Sequence, residues 1–288
     1  MTLVIWADGR LVEQGQGALS AVDHGITVGD GVFETCTVFG GQVFALTRHL
    51  ARLERSALGL GLEAPDAQRV RDGVVAVMDA AVAEAGPFDG RLRITVTAGT
   101  GPLGSGRVPG AQTVVVAAQD GAMAPTSRSA RSPWPRNERS AVAGLKTTSY
   151  AENVVALADA VAKGGDESIL PNTVGQLCEG TGSNVFVERG GELVTPPLSS
   201  GCLAGITRAL LLEWGAEEGL AVREAEPDEL PFDVLDEVTL GEAQLVLTSS
   251  GRNVQPVTWL DGAEVPVGKI SSVARELFEE RCRQHLDP

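Results

Sequence analysis

Apolar and polar positions change their period along the chain, and those changes predict a mixture of strands and helices. Residues 3–6 (LVIW) are an apolar run followed by Asp8-Gly9, a dipeptide suited to a hairpin turn. Residues 31–39 (GVFETCTVF) are rich in β-branched and aromatic side chains and predict a strand. Gly40-Gly41 turns the chain and residues 42–45 return it. Thr47 is placed to cap a helix running to about Gly59. Its apolar face is Leu46, Leu50, Leu53 and Ala57, with Arg48, Arg52 and Arg55 on other faces. A second helix is expected from Asp66 to Ala85, stopped by Gly86-Pro87. RLRITVTA at 91–98 alternates as a half-buried strand, and TVVVAA at 113–118 reads as a buried one.

Residues 119–127 (QDGAMAPTS) lack periodicity and carry Gly and Pro. The expected organisation is therefore a small N-terminal α/β domain over 1–118, an interdomain loop over 119–127 and a larger C-terminal domain over 128–288. The larger domain holds predicted helices at 151–163, 205–218 and 271–284, and strands at 168–170, 185–188, 193–195 and 244–248. The unequal strand lengths point to a mixed α/β (α+β) class rather than a regular βαβ series.

Composition removes several functions. A net charge of −15 argues against nucleic acid and anionic membrane as partners. No stretch approaches the roughly 18 to 20 apolar residues of a membrane helix. The N-terminus has neither a basic region nor a long apolar core, so the expectation is a cytoplasmic protein. Cys36, Cys178, Cys202 and Cys282 never form C-x-x-C, and His24, His49 and His285 are scattered. No metal centre is expected, and the cysteines read as small reduced hydrophobes. No G-x-S-x-G elbow occurs. Gly99 to Gly104 (GTGPLG) spells a dinucleotide fingerprint, but Pro109 and Gly110 follow it and the next element is a strand. Without a helix to receive the phosphates, the segment reads as a flexible loop.

Of 23 basic residues only three are lysines, so each is informative. Lys163 precedes Gly164-Gly165 in the last turn of a predicted helix, the ordinary place for a cation. Lys269 stands near the start of the final helix. Lys146 lies between apolar residues and the hydroxyls of KTTSY, with no adjacent acid. Such a lysine is either a satisfied structural group or a reactive amine.

Downstream, Leu177 to Phe186 reads LCEGTGSNVF, Leu193 to Pro196 reads LVTP, and Gly201 to Arg208 reads GCLAGITR. Together with GDGVFET at 29–35 and HLARL at 49–53, these resemble the class IV aminotransferase family, the two-domain fold-type IV enzymes (D-amino-acid aminotransferase-like) that depend on pyridoxal 5′-phosphate. The resemblance spans nearly the whole chain and rests on Glu179, Asn184, Thr195, Gly205 and Arg208 in fixed order. It implies that Lys146 is the Schiff-base lysine and proton-transfer base, and that Glu179 faces the pyridine nitrogen. It implies phosphate anchors at Gly205, Ile206 and Thr207 of a helix N-terminus, with Arg52, Ser249 and Ser250. Tyr150 is similar to the phenol that contacts the cofactor's ring oxygen in branched-chain members, where the spacing from the lysine is one residue longer. The family also implies a homodimer acting on a small-molecule substrate.

Family members include branched-chain and D-amino-acid aminotransferases, R-selective amine transaminases and 4-amino-4-deoxychorismate lyase. The D-amino-acid enzymes carry arginine where this chain has Ala98. Thr35 matches a lyase threonine near the catalytic lysine, and Arg93 a basic position shared by lyases and branched-chain enzymes. Arg107, in the glycine-rich loop, is the candidate for a second substrate carboxylate. The runs GLKTTSYAENVVALA and CEGTGSNVF look most like actinobacterial aminodeoxychorismate lyases. The resemblance thus implies release of pyruvate and 4-aminobenzoate, a precursor in folate biosynthesis. The alternative is an aminotransferase acting on branched-chain amino acids or amines with a keto-acid acceptor. In an acidic protein, an anionic cofactor and a dicarboxylate require local arginines, and Arg93 and Arg107 are the candidates.

Overall fold

The computed structural model describes residues 2–13 and 15–288. The chain forms two compact units. The first takes the chain through Ala122 and adds Leu145–Tyr150 and His285–Pro288; the second takes Met123–Gly144 and Ala151–Gln284. The segment carrying Lys146 therefore belongs to the first unit, although its sequence position lies within the stretch expected to form the second.

The first unit contains β1 (Leu3–Ala7), β2 (Arg10–Val12), α1 (His24–Thr27), β3 (Gly31–Phe39), β4 (Gln42–Val43), α2 (Leu46–Gly59), α3 (Ala67–Ala85), β5 (Gly90–Thr97) and β6 (Thr113–Asp120). The strands form one antiparallel sheet in the order β2-β1-β6-β5-β3-β4. Asp8-Gly9 makes the β1–β2 turn with both residues at positive φ, as the dipeptide predicts. Alternation in β3 divides its side chains between two faces. Val32, Cys36 and Val38 join Leu92, Ile94 and Val96 of β5 in the core, with Leu53 and Ala57 of α2 and Val70, Val74 and Val77 of α3. Phe33 and Thr35 face the other way, beside Thr95 and Arg93, their register partners on β5.

One expectation for α2 is corrected. Thr47 does not cap it; the cap position is Ala45, in a left-handed conformation. The Thr47 amide and hydroxyl donate instead to Asp287 at the chain's end, at 2.9 and 2.6 Å. A carboxylate brought by the C-terminus thus serves the first turn, where anions are favoured. Beside its apolar face, α2 buries His49, Arg52 and Ser56 along with Leu53 and Ala57. The span expected for α3 holds, and Asp66 caps it by accepting from the amides of Gln68 and Arg69.

The second unit contains β7 (Ser127–Arg131), α4 (Ala151–Ala162), β8 (Glu167–Pro171), β9 (Leu177–Gly180), β10 (Asn184–Arg189), β11 (Glu192–Thr195), α5 (Ile206–Glu217), β12 (Val222–Glu224), α6 (Val234–Thr239), β13 (Gln244–Ser249), β14 (Asn253–Leu260), β15 (Ala263–Glu264) and α7 (Lys269–Gln284). Its sheet runs β12-β11-β10-β13-β14-β7-β8-β9, with β15 beside β14. The pairs β11–β12, β14–β7 and β7–β8 are parallel and the rest antiparallel, and with its helices the unit has the α/β (α+β) class that the sequence predicted. Val185, Val187, Val194, Leu245 and Leu247 pack with Leu235 and Val238 in its core. All four cysteines are free and buried. Burial pushes Cys202 up to about 11 and Cys282 up to about 12, which keeps both as neutral thiols.

Candidate active site

In the first unit, Leu145–Tyr150 lies along the end of β3. The Phe33 amide donates to the Lys146 carbonyl at 3.0 Å, and the Thr148 amide to the Gly31 carbonyl at 2.8 Å. The Lys146 amide donates to Ser56 Oγ of α2 at 3.3 Å. The hydroxyls that follow the lysine complete the attachment, since Thr148 Oγ1 and Ser149 Oγ both donate to the Gly29 carbonyl at 2.9 Å. Gly29 sits at φ +68°, and a Cβ there would come within 2.7 Å of Ser149 Oγ. The polar residues of KTTS are therefore the stitches that hold the lysine backbone still.

The Lys146 ammonium nitrogen lies 4.5 Å from the centroid of the Phe33 ring and 6.0 Å from that of Tyr150. The two rings meet edge to face at 5.2 Å. The Arg93 guanidinium carbon stands 3.7 Å from the Phe33 centroid. Phe33 thus brings Lys146, Tyr150 and Arg93 together, and half-buried Thr35 follows it on the same face of β3.

Arg107 is not part of this group. Its Nε and Nη2 donate to the two carboxylate oxygens of Asp30 at 2.6 and 2.7 Å. Nη1 donates to the Gly61 carbonyl at 2.6 Å and Nη2 also to the Leu60 carbonyl at 2.9 Å. The arginine fastens its own loop, as does His24, whose Nε2 is 2.9 Å from the Pro102 carbonyl oxygen. With Nε, Nη1 and Nη2 all engaged by Asp30 and two backbone carbonyls, it has little left to offer a substrate carboxylate.

Behind β3, Glu34 is fully buried. It accepts from Arg52 Nε at 2.7 Å, Arg52 Nη2 at 2.6 Å and His49 Nδ1 at 2.7 Å. Burial raises its proton affinity, but Arg52 and then His49 outweigh burial and hold Glu34 at about 2. Burial lowers His49 below its ordinary value, which keeps the ring neutral. The unfolded chain would bind a proton at Glu34 below about 4.5, and the folded chain only near 2. The stability from this group is thus complete above pH 4.5 and lost as the pH falls toward 2, on the order of 3 kcal/mol. Urea unfolding at pH 5 and pH 3 should show that loss, and a smaller one in Glu34→Gln; identical pH dependence in the two proteins would contradict it.

In the second unit, Glu179 lies buried on β9, opposite Leu170 of β8. One carboxylate oxygen accepts from the Leu203 amide at 2.9 Å and the other from Arg136 Nε at 3.1 Å. Sequence reasoning missed Arg136. It follows the irregular SPWP segment and precedes Glu179 by 43 residues, so no periodicity marks it. Sequence reasoning also missed Glu167 of β8. Its buried carboxylate accepts from the Thr181 amide at 2.9 Å, from the Thr181 hydroxyl and from Ser183 Oγ at 2.9 Å. These bonds shape the turn directly after Glu179.

The remaining signature residues divide into scaffold and open donors. Asn184 Nδ2 donates to the Leu203 carbonyl, Thr195 Oγ1 to that of Val185 and Arg208 Nη2 to that of Pro196, at 2.7 to 2.9 Å. All three fix backbone. Asn184 Oδ1 lies where a Cβ on residue 205 would stand, at 1.9 Å, so only glycine fits before α5. The N-cap residue Gly205 brings no side chain to cap α5, and the amides of its first turn, with buried Thr207, form an anion-favouring terminus. Ser249 closes β13 opposite Asn253, and Ser250 follows in the turn.

An antiparallel sheet and a mixed one, a lysine braced against an aromatic ring and a glycine-led helix opening after a buried carboxylate describe a known class of enzyme. Residues 31–260 match the family model described as amino-transferase class IV, and the chain belongs to that family. It is 30% identical over 297 residues, covering 96% of this chain and 98% of the relative, to a Mycobacterium tuberculosis protein named bifunctional aminodeoxychorismate lyase / D-amino acid transaminase. It is 28% identical to the branched-chain-amino-acid aminotransferase of Pseudomonas aeruginosa, covering 95% and 90% of the two chains. Among solved structures, the PLP-bound form of a hypothetical aminotransferase from Mycobacterium tuberculosis matches with a TM-score of 0.82 and 26% identity, over 96% of this chain and 97% of that one.

Proposed function

We propose that this chain is a 4-amino-4-deoxychorismate lyase, releasing 4-aminobenzoate and pyruvate. It is a pyridoxal-phosphate enzyme of the class IV family. The cofactor, when bound, supplies the electron sink that makes a proton on an amine-bearing carbon removable. The residues present fit it: a lysine beside aromatic rings, a buried carboxylate, and a helix terminus behind a glycine that admits no Cβ. Lys146 would hold the cofactor and move the proton, and Glu179 would face the pyridine nitrogen. Tyr150 would contact the ring oxygen. Gly205, Ile206, Thr207, Arg52, Ser249 and Ser250 would hold the phosphate.

The observation that carries the lyase reading is the arrangement around Phe33, where Arg93 and Thr35 share one sheet face with the ring that Lys146 approaches. Arg93 offers a substrate carboxylate a cation beside the lysine, and Thr35 offers a hydroxyl to assist proton transfer. Support from Arg107 is withdrawn, because Asp30 holds it. Loss of that second arginine favours a second reading, an aminotransferase for amino acids with one carboxylate or for amines.

One assay separates the two. Holoenzyme given aminodeoxychorismate should produce 4-aminobenzoate and pyruvate in equal amounts. Robust transfer from amino donors to 2-oxoglutarate with no 4-aminobenzoate would establish the second reading instead. Arg93→Gln should raise KM for the carboxylate substrate about tenfold or more, the worth of a charge-assisted bond, and leave cofactor affinity unchanged. An unchanged KM would remove Arg93 from the substrate site. A homodimer remains the oligomeric expectation of the family, open to sedimentation.

A further inference from the structure

The buried group formed by Glu34, His49 and Arg52 asks for a reason other than stability. A buried ion pair is seldom more stabilising than well-packed apolar side chains of the same volume. Yet α2 turns His49 and Arg52 inward beside Leu53 and Ala57, against Glu34 of β3. The geometry is that of a clamp. Glu34 engages Arg52 through both carboxylate oxygens, so the plane of the guanidinium is fixed. His49 Nδ1 holds one of those oxygens in turn, which fixes the carboxylate. His49 is kept neutral by burial, so it adds a donor and no second positive charge.

The clamp lies close to the lysine. Phe33, the neighbour of Glu34 in β3, donates its amide to the Lys146 carbonyl at 3.0 Å. Ser56, one helical turn beyond Arg52, receives the Lys146 amide. The same face of α2 thus holds the guanidinium and braces the lysine backbone.

We propose that Glu34 and His49 are positioning residues that hold the Arg52 guanidinium in one orientation for the cofactor's phosphate. They thereby set how much affinity the phosphate supplies. This rests on the reading of Arg52 as a phosphate ligand. It extends that reading to two residues that need not touch the cofactor.

The test compares pyridoxal phosphate with pyridoxal, which lacks the phosphate. Dissociation constants of both are measured by absorbance titration of the apoprotein, for the wild type and for Arg52→Gln, Glu34→Gln, His49→Ala and His49→Gln. Arg52→Gln should weaken pyridoxal phosphate about tenfold or more and leave pyridoxal within about twofold. Glu34→Gln and His49→Ala should show the same selective weakening, about three- to tenfold. His49→Gln, whose amide can still donate to Glu34, should recover most of it. If Arg52→Gln weakens neither ligand or both alike, the phosphate reading itself fails. If Arg52→Gln is selective while Glu34→Gln and His49→Ala leave both ligands unchanged, the positioning inference is overturned and the phosphate reading stands. Equal weakening of both ligands by Glu34→Gln and His49→Ala also overturns it, since a damaged fold does not distinguish them. Should Glu34→Gln fail to fold, the His49 pair decides alone, by selective loss and recovery or by their absence.

Discussion

Lys146→Ala is expected to purify without the visible absorbance band of a lysine-bound cofactor, and to turn over substrate at least about a thousandfold more slowly. Composition and geometry both give the reason. The chain has three lysines, and the other two stand at helix ends. Lys163 pairs with Asp159 at 2.6 Å and donates to the Arg131 carbonyl at 3.2 Å, at the end of α4. Lys269 is the first residue of α7. Arginine is no substitute, since its guanidinium stays protonated and cannot act as the amine nucleophile. Lys146 is also the lysine whose backbone is pinned on several sides, to Ser56, to β3 and, through Thr148 and Ser149, to Gly29. A thousandfold effect of this kind needs that fixity, because a mobile lysine would spend little time at the reacting carbon. Retention of the band, or turnover within tenfold of the wild type, would remove Lys146 from the chemistry.

Glu179→Gln should cost about a hundredfold in turnover while weakening cofactor binding much less. Glutamine has nearly the same shape, and its oxygen can still accept from the Leu203 amide. The loss is one of charge. A carboxylate opposite the pyridine nitrogen keeps that nitrogen protonated; a neutral amide does not. Arg136, 3.1 Å from Glu179, balances the carboxylate's charge in a buried setting and orients it. Glu179→Asp should fall between the two, with the charge kept and the reach shortened. Single-turnover rates and cofactor titration of the same preparations check the split. Equal turnover in wild type and Glu179→Gln would place the carboxylate in a structural role only.

The chain's elements were largely legible because their periods are strong. The strand at 31–39, the helix ending at Ala85 and the buried strand at 244–248 all stand where alternation, capping and β-branched content predict. The loop at 99–104 was legible as well, since the residues after it could not open a helix. Failures gather where one element's chemistry depends on another. Thr47 reads as a cap until Asp287, 240 residues later, supplies the carboxylate. Helical periodicity puts Arg52 off the apolar face, and only Glu34 across the core gives it a buried partner. Arg107 reads as a ligand arginine in an exposed loop, and only the return of that loop to Asp30 ties it down.

The sequence by itself determined which residue types exist to do chemistry. Three lysines, one tyrosine and an ordered set of acid, asparagine, threonine, glycine and arginine restrict the candidates, because a reactive amine and an anion-binding helix start need particular atoms. Tertiary structure decided which charges are available and which are committed. Arg93 meets the ring beside Lys146, Arg107 is held by Asp30, and Arg136 is brought to Glu179. Ion pairing acts over a few ångströms, and local sequence pattern carries no record of which distant charges the fold brings that close.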